Sequence, residues 1–440
     1  DIWRMGNGVF SPAAAGPILL KRRKQHSTGD GMKRRDLLKS ACALPFLPFF
    51  RSFEALAQPA RGAARITAIK ALQIKNAQTL IRIDTDAGIS GYGECGTDGN
   101  TARAVIAAYN GGGRLPHLGL IGKDPLAIQV HFHNMFYAYE QRGRAMRTLS
   151  GIDMALWDLA GKLLRLPVSK LLGGNFRDEV EVYSHCPAGD FLSKAEWRDR
   201  AQLLRTGFNG VKTFKIDTHV VLGIPMQQYT PSLVPQDFRR MAAAYGMARE
   251  ALGDDIDILV HCHCEFDVPS AIGIARAVEP IKPIYFEDPL QPGWSEGWAA
   301  LRRATGLPIM TGENMELAEW AVPFLENQAV NIFQPDIVNS GGITGVRMIA
   351  DLAARYRIPI ALHNVSGLLL NMASQQVAAA TFNCPRMEMA HRALELTLGG
   401  TNPLKVRDGR MQVSTLPGLG VEIDEKYLRA NAAPGEPWWG

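Results

Sequence analysis

From Ile258 onward, short apolar runs alternate with longer amphipathic stretches, and each apolar run closes on a polar or charged residue. Ile-Leu-Val closes at His261, Ile-Tyr-Phe at Glu287 and Ile-Met-Thr-Gly at Glu313. Ile-Phe-Gln-Pro closes at Asp336, Pro-Ile-Ala-Leu at His363 and Arg-Met at Glu388. Successive closing residues lie 26, 26, 23, 27 and 25 positions apart. The apolar runs are of strand length, and the stretches between them, such as 270–278 and 342–357, have helical character. A strand-plus-helix repeat with its polar residues at the strand C-terminal ends predicts a parallel (β/α) barrel, a fold that gathers its chemistry on that face.

Upstream the rhythm loosens. Residues 182–184 read as the first barrel strand and 210–216 as the second, and 219–235, rich in Pro and Gln, reads as an insertion at the barrel mouth. Earlier still, apolar alternation at 66–74, 78–85 and 91–94 predicts a short antiparallel sheet. Helical periodicity follows at 102–108, 126–139 and 150–164. The expected fold is α/β, a modified (β/α) TIM-type barrel over 180–397 with an N-terminal α+β capping domain over 65–179. Residues 398–440 follow as a C-terminal segment ending in a mobile tail, in which Trp438-Trp439 could dock.

Charge changes the picture only at the front. The 440 residues carry a formal net charge of +5, but residues 1–57 hold 10 Lys/Arg and 4 Asp/Glu, which leaves a net of −1 for the remainder. That balance excludes a basic nucleic-acid surface, and no apolar run after residue 57 is long enough to cross a membrane. Residues 32–57 have a charged start with Arg34-Arg35, an apolar stretch over 41–50 and a small-x-small site at Ala55-Leu56-Ala57. This is the pattern of a twin-arginine-type signal and predicts export to the periplasm; residues 1–31 are expected to be an upstream or non-native segment. The six cysteines are irregularly spaced, so no disulfide framework can be read from them.

Five segments carry a family likeness: Gly151-Ile152-Asp153-Met154-Ala155-Leu156-Trp157-Asp158, Leu171-Leu172-Gly173-Gly174, Phe286-Glu287-Asp288-Pro289, Gly312-Glu313-Asn314, and the run from Gln334-Pro335-Asp336 to Gly341-Gly342. With these the chain from about 65 to 425 resembles the enolase superfamily, in its mandelate racemase/muconate lactonizing branch. The resemblance implies a cap over a modified barrel, a C-terminal segment returning to the cap, homo-oligomeric assembly, and Mg²⁺-assisted removal of a proton α to a carboxylate. The physics agrees, because a divalent cation stabilises the charge that develops on the carboxylate oxygens.

Glu287 and Glu313, ending successive strands, are the expected metal ligands. The family places Asp or Glu at the end of the third strand, where this chain has His261. Either His261 binds the metal, or Glu265 reaches in, or the site is weakened. Strand alternation puts His261 and His263 on one face and Cys262 and Cys264 on the other, which argues against a single zinc site. Mg²⁺ is the expected ion, and His261 brings Mn²⁺ or another transition metal into consideration.

Asp336 and His363 resemble the family's Asp–His dyad, which makes His363 a candidate general base or acid. The family also has Lys-x-Lys on one strand face, whereas this chain has Lys212 and Lys215 at three-residue spacing. Lys212 is the preferred second base, because Phe214 and Ile216 share its face, and Lys215 is the alternative. His263 resembles the histidine with which galactonate-dehydratase-like enzymes protonate a departing β-hydroxyl, and Glu388 the carboxyl that hydrogen-bonds an enediolate oxygen. A muconate-type cycloisomerase would carry Lys on the sixth strand, where Asp336 stands. The function these residues imply is a metal-dependent dehydratase of a small-molecule sugar acid. The alternatives are a racemase or epimerase with Lys212 opposite His363, and a non-catalytic sugar-acid binding protein.

Overall fold

Three antiparallel strands, β1 (Ile66–Gln73), β2 (Thr79–Thr85) and β3 (Ser90–Cys95), pair in the order β1-β2-β3. The computed structural model describes residues 64–75, 79–107, 119–137, 143–230 and 232–439. The expected signal at 32–57 and the segment before it lie outside the described residues. Helices α1 (Gly99–Ala107), α2 (Ile128–Phe136) and α3 (Arg144–Leu164) follow the sheet. Helix α3 packs so closely on β3 that a Cβ on Gly93 would stand 2.1 Å from the Gly151 carbonyl oxygen. The glycines of Gly-Tyr-Gly-Glu thus answer a helix, not a turn.

The barrel strands are β4 (Glu179–His185), β5 (Thr213–Asp217), β6 (Asp257–His261), β7 (Tyr285–Glu287), β8 (Ile309–Thr311), β9 (Ile332–Phe333), β10 (Ala361–Leu362) and β11 (Arg386–Glu388). They pair in parallel in chain order, β11 pairs with β4, and a bridge between Phe333 and Ile360 closes the ring. The chain is therefore a capped TIM-type barrel. Tyr183, Leu259, Met310, Ile332 and Ala361 form a separate buried cluster within the ring. Phe214, Ile216, Ile258, Val260 and Phe286 instead join the larger core shared with the surrounding helices.

That alternation corrects the lysine expectation. Phe214 and Ile216 face the helices, so Lys215 faces inward, where it is fully buried. Lys212 precedes β5, is exposed, and lines a depression with Glu181, Asp257 and Asp408 at the N-terminal end of the barrel. The face shared with Phe214 and Ile216 is the outer one.

The cap is fastened to the barrel by buried carboxylates. Asp153 of α3 accepts from the Thr344 backbone N–H at 3.0 Å and from its hydroxyl at 2.7 Å, at the start of α4 (Gly342–Arg355). Glu94, near the end of β3, accepts from the backbone N–H of Gly367 at 2.7 Å at the start of α5 (Leu368–Ala380). Asp158 instead ties α3 to β3 and to the C-terminal segment, accepting from the backbone N–H groups of Tyr92 and Leu419, both at 2.8 Å. The tail expected to be mobile is held down: the Ala433 N–H donates to the Gln73 carbonyl, the Gln73 N–H donates to Glu436, and the Trp439 indole donates to Glu425. No helix among the described residues is long and apolar enough to cross a membrane.

Candidate active site

At the C-terminal ends of the barrel strands the chain presents His185 (β4), Asp217 (β5), His261 (β6), Glu287 (β7) and Glu388 (β11). Glu313, Asp336 and His363 follow within three residues of β8, β9 and β10. Register sets Asp217, His261 and Glu287 side by side, because Asp217 pairs with His261 and His261 with Glu287. A cavity of about 420 Å³ opens over this face. Its wall includes His261, His263, Glu313, Asp336 and His363 of the barrel, Gly96 and Arg147 of the cap, and Met226 and Gln227 of the mouth insertion.

Two hydrogen-bonded imidazoles anchor the site. His363 Nδ1 is 2.7 Å from Asp336 Oδ2, and its Nε2 is 3.3 Å from Glu313 Oε2. Burial opposes its charge, but Glu313, the Asp336 bond and Glu388 outweigh that and lift its pKa to about 10. His261 Nδ1 is 2.6 Å from Asp217 Oδ1, and its Nε2 is 3.4 Å from Glu287 Oε1. Burial, reinforced by the charge of Lys215, drives its pKa well below the usual range despite Asp217.

Lys215 Nζ lies 2.7 Å from Glu287 Oε1 and 3.0 Å from both oxygens of Glu388. Burial acts against its charge, but the two glutamates hold it above the ordinary lysine range. An ammonium so enclosed keeps its proton in this arrangement, with both glutamates as its partners. Glu388 is fully buried; burial raises its pKa, but Lys215 and His185 outweigh this and keep it an anion. An ionised carboxylate accepts hydrogen bonds and donates none, so Glu388 cannot donate to an enediolate oxygen in this state. It holds Lys215 and, at 3.0 Å, His185 Nε2.

Glu265 does not join the Glu287 and Glu313 cluster. It is fully buried, accepts from the His263 backbone N–H at 2.6 Å, and has an oxygen 3.5 Å from His263 Nδ1, so it braces His263. His219, opening the mouth insertion, packs its ring edge-on to His263 with 5.0 Å between centroids.

The cluster suits a divalent ion. Ligand atoms of His261, Glu287 and Glu313 lie within 4.8 Å of one another. His261 Nε2 and Glu287 Oε2 are buried without a hydrogen-bond partner. Buried groups of this kind are costly unless something pairs with them. One nitrogen and two carboxylates can do so with a cation.

His185, Asp217 and the cap's Arg147 were not anticipated. The first two lie one residue beyond the strand ends read from the sequence, 184 and 216. Extending the strand-end rule by one position would have found both.

Residues 59–173 match the family described as mandelate racemase / muconate lactonizing enzyme, N-terminal domain, and residues 196–427 match the one described as enolase C-terminal domain-like. The chain is 32% identical over 371 residues to the D-xylonate dehydratase of Haloferax volcanii, covering 81% of this chain and 86% of that one. It is 32% identical over 384 residues to the D-galactonate dehydratase of Variovorax paradoxus, covering 85% and 96%. The crystal structure of a mandelate racemase/muconate lactonizing enzyme-like protein from Rubrobacter xylanophilus superposes with a TM-score of 0.75 at 28% identity, covering 86% of this chain and all of that one. The chain belongs to the enolase superfamily, in its mandelate racemase/muconate lactonizing branch.

Proposed function

We propose that the protein is a lyase that dehydrates a sugar acid to a 2-keto-3-deoxy acid. The observation that carries this is the placing of two imidazoles, His363 and His263, on the wall of one cavity beside the His261–Glu287–Glu313 cluster. Dehydration needs a base for the α-proton and an acid for the departing hydroxyl, and two separate imidazoles can divide that work. The dehydratases of D-xylonate and D-galactonate among the relatives support the same reading.

In this reading Glu287, Glu313 and His261 hold a divalent metal, which supplies positive charge to the substrate carboxylate as its α-proton leaves. Asp336 holds His363 by Nδ1, so Nε2 takes the proton. Glu313 is a principal source of the raised His363 pKa, and balancing its charge returns the imidazole toward the range where it accepts protons at neutral pH. His263, braced by Glu265, protonates the leaving hydroxyl. Arg147, Gln227, Asn314 and Asn339 line the cavity and offer donors to the sugar hydroxyls and carboxylate. Assembly into a homo-oligomer is part of the same proposal and is read by light scattering.

The opposed Lys212–His363 pair of the racemase reading does not form, since Lys212 lies at the other end of the barrel. The test is a panel of sugar acids assayed for 2-keto-3-deoxy product in deuterated water, with Mg²⁺, Mn²⁺ or chelator. Metal-dependent product supports dehydration. Deuterium at the α-carbon without loss of water would make the enzyme an epimerase, and ligand-induced stabilisation without turnover would make it a binding protein.

A further inference from the structure

We propose that Asp217 is a positioning residue that commits His261 to bind the divalent ion through Nε2, so that the carboxylate missing from the end of β6 acts from behind the ligand. The inference rests on the reading of Glu287, Glu313 and His261 as the metal ligands. Its geometry is independent of that reading. Asp217 Oδ1 and His261 Nδ1 are 2.6 Å apart, and the two residues are register partners on neighbouring strands, so the backbone itself sets them together. An ionised carboxylate only accepts hydrogen bonds, which places the imidazole proton on Nδ1 and the lone pair on Nε2. That Nε2 is buried, lacks a hydrogen-bond partner and lies in the cluster with Glu287 and Glu313.

A carboxylate behind a ligating imidazole fixes its tautomer and ring orientation and raises its basicity. Here it also restores the local charge: two carboxylates face the ion directly and a third acts through the ring. The nitrogen ligand then favours a borderline transition metal over Mg²⁺. His185 Nδ1, 3.8 Å from Asp217 Oδ2, flanks the other oxygen of the same carboxylate.

The test uses Co²⁺ as probe with the whole protein and with Asp217→Asn, Asp217→Ala and His261→Ala, each first shown by thermal melting to be folded. Calorimetry gives Co²⁺ affinity, and proton NMR of the Co²⁺ form reads the solvent-exchangeable, paramagnetically shifted N–H of a ligating imidazole. The proposal expects one such resonance, absent in His261→Ala and rapidly exchanging in Asp217→Ala, with affinity falling roughly 10–100-fold in the Asp217 variants. Asp217→Asn keeps an acceptor for Nδ1–H and isolates the loss of charge if the alanine variant fails to fold. Affinity kept to within about threefold and an unchanged resonance in the Asp217 variants would overturn the proposal while leaving His261 a ligand. No imidazole resonance in the unaltered protein, with His261→Ala binding Co²⁺ equally well, would overturn the ligand reading and the proposal together.

Discussion

Lys215 and Lys212 stand three positions apart and meet opposite environments. Lys215 is enclosed by Glu287 and Glu388 with no solvent contact. Removing the cation leaves two buried carboxylates facing each other, so Lys215→Met should cost about 3–5 kcal/mol of stability, read by denaturant unfolding. Lys212→Ala should leave both kcat and the melting temperature unchanged. A large loss of kcat in Lys212→Ala would reopen the lysine-base reading that its position at the N-terminal rim closes. His363 lies on the cavity wall with Asp336 at 2.7 Å. His363→Asn should lower kcat by roughly 10²–10⁴-fold while metal affinity stays close to that of the unaltered protein. A loss of metal binding of the same size would make His363 a ligand instead. His261→Asp, which exchanges an imidazole nitrogen for a carboxylate oxygen, should raise the affinity for Mg²⁺ relative to Mn²⁺. An unchanged ratio in parallel titrations of the two ions would remove His261 from the metal shell.

At the scale of elements, helix α3 joins residues 191 positions apart in the sequence. Asp153 accepts hydrogen bonds from both the backbone N–H and the hydroxyl of Thr344 at the start of α4, and the Trp157 indole donates to the same hydroxyl at 2.9 Å. Complete burial outweighs the Thr344 bonds and pushes the Asp153 pKa up to about 7. A carboxyl whose folded pKa lies above its unfolded value is bound to its proton more tightly in the fold. Its contribution is full below the unfolded carboxyl pKa of about 4 and is lost as pH rises through about 7, on the order of a few kcal/mol. Unfolding at pH 5 and pH 8 should therefore show a smaller stability at pH 8, and Asp153→Asn, which cannot ionise, should flatten the difference. Equal pH dependence in both proteins would mean that Asp153 is not the group responsible.

Taken as a whole, the molecule was legible wherever a parallel strand had to stay apolar until it surfaced at the catalytic face. That is why Glu287, Glu313, Asp336, His363 and Glu388 could be placed at strand ends from spacing, while the roles of the last three came from the family resemblance. It failed by one residue at β4 and β5, because Ser184-His185 and Asp217-Thr218-His219 continue a polar run and hide the strand end. It failed for Lys212 because alternation separates two faces without saying which is inner. The Asp217–His261 bond joins two strands and leaves no trace in the spacing of either. The first strand of the cap and the C-terminal segment also meet: the Lys75 N–H donates to the Asn431 carbonyl and the Ala433 N–H to that of Gln73, so the cap is completed by residues more than 350 positions further along the chain. Such a protein suits a route that carries folded cargo, and on the leader pattern of 32–57 we propose twin-arginine export. Cell fractionation should recover a periplasmic chain cleaved after Ala57. Replacing Arg34→Lys and Arg35→Lys together should keep the uncleaved, folded protein inside the cell. Continued processing and export of that double variant would assign the leader to a route that does not read the arginine pair.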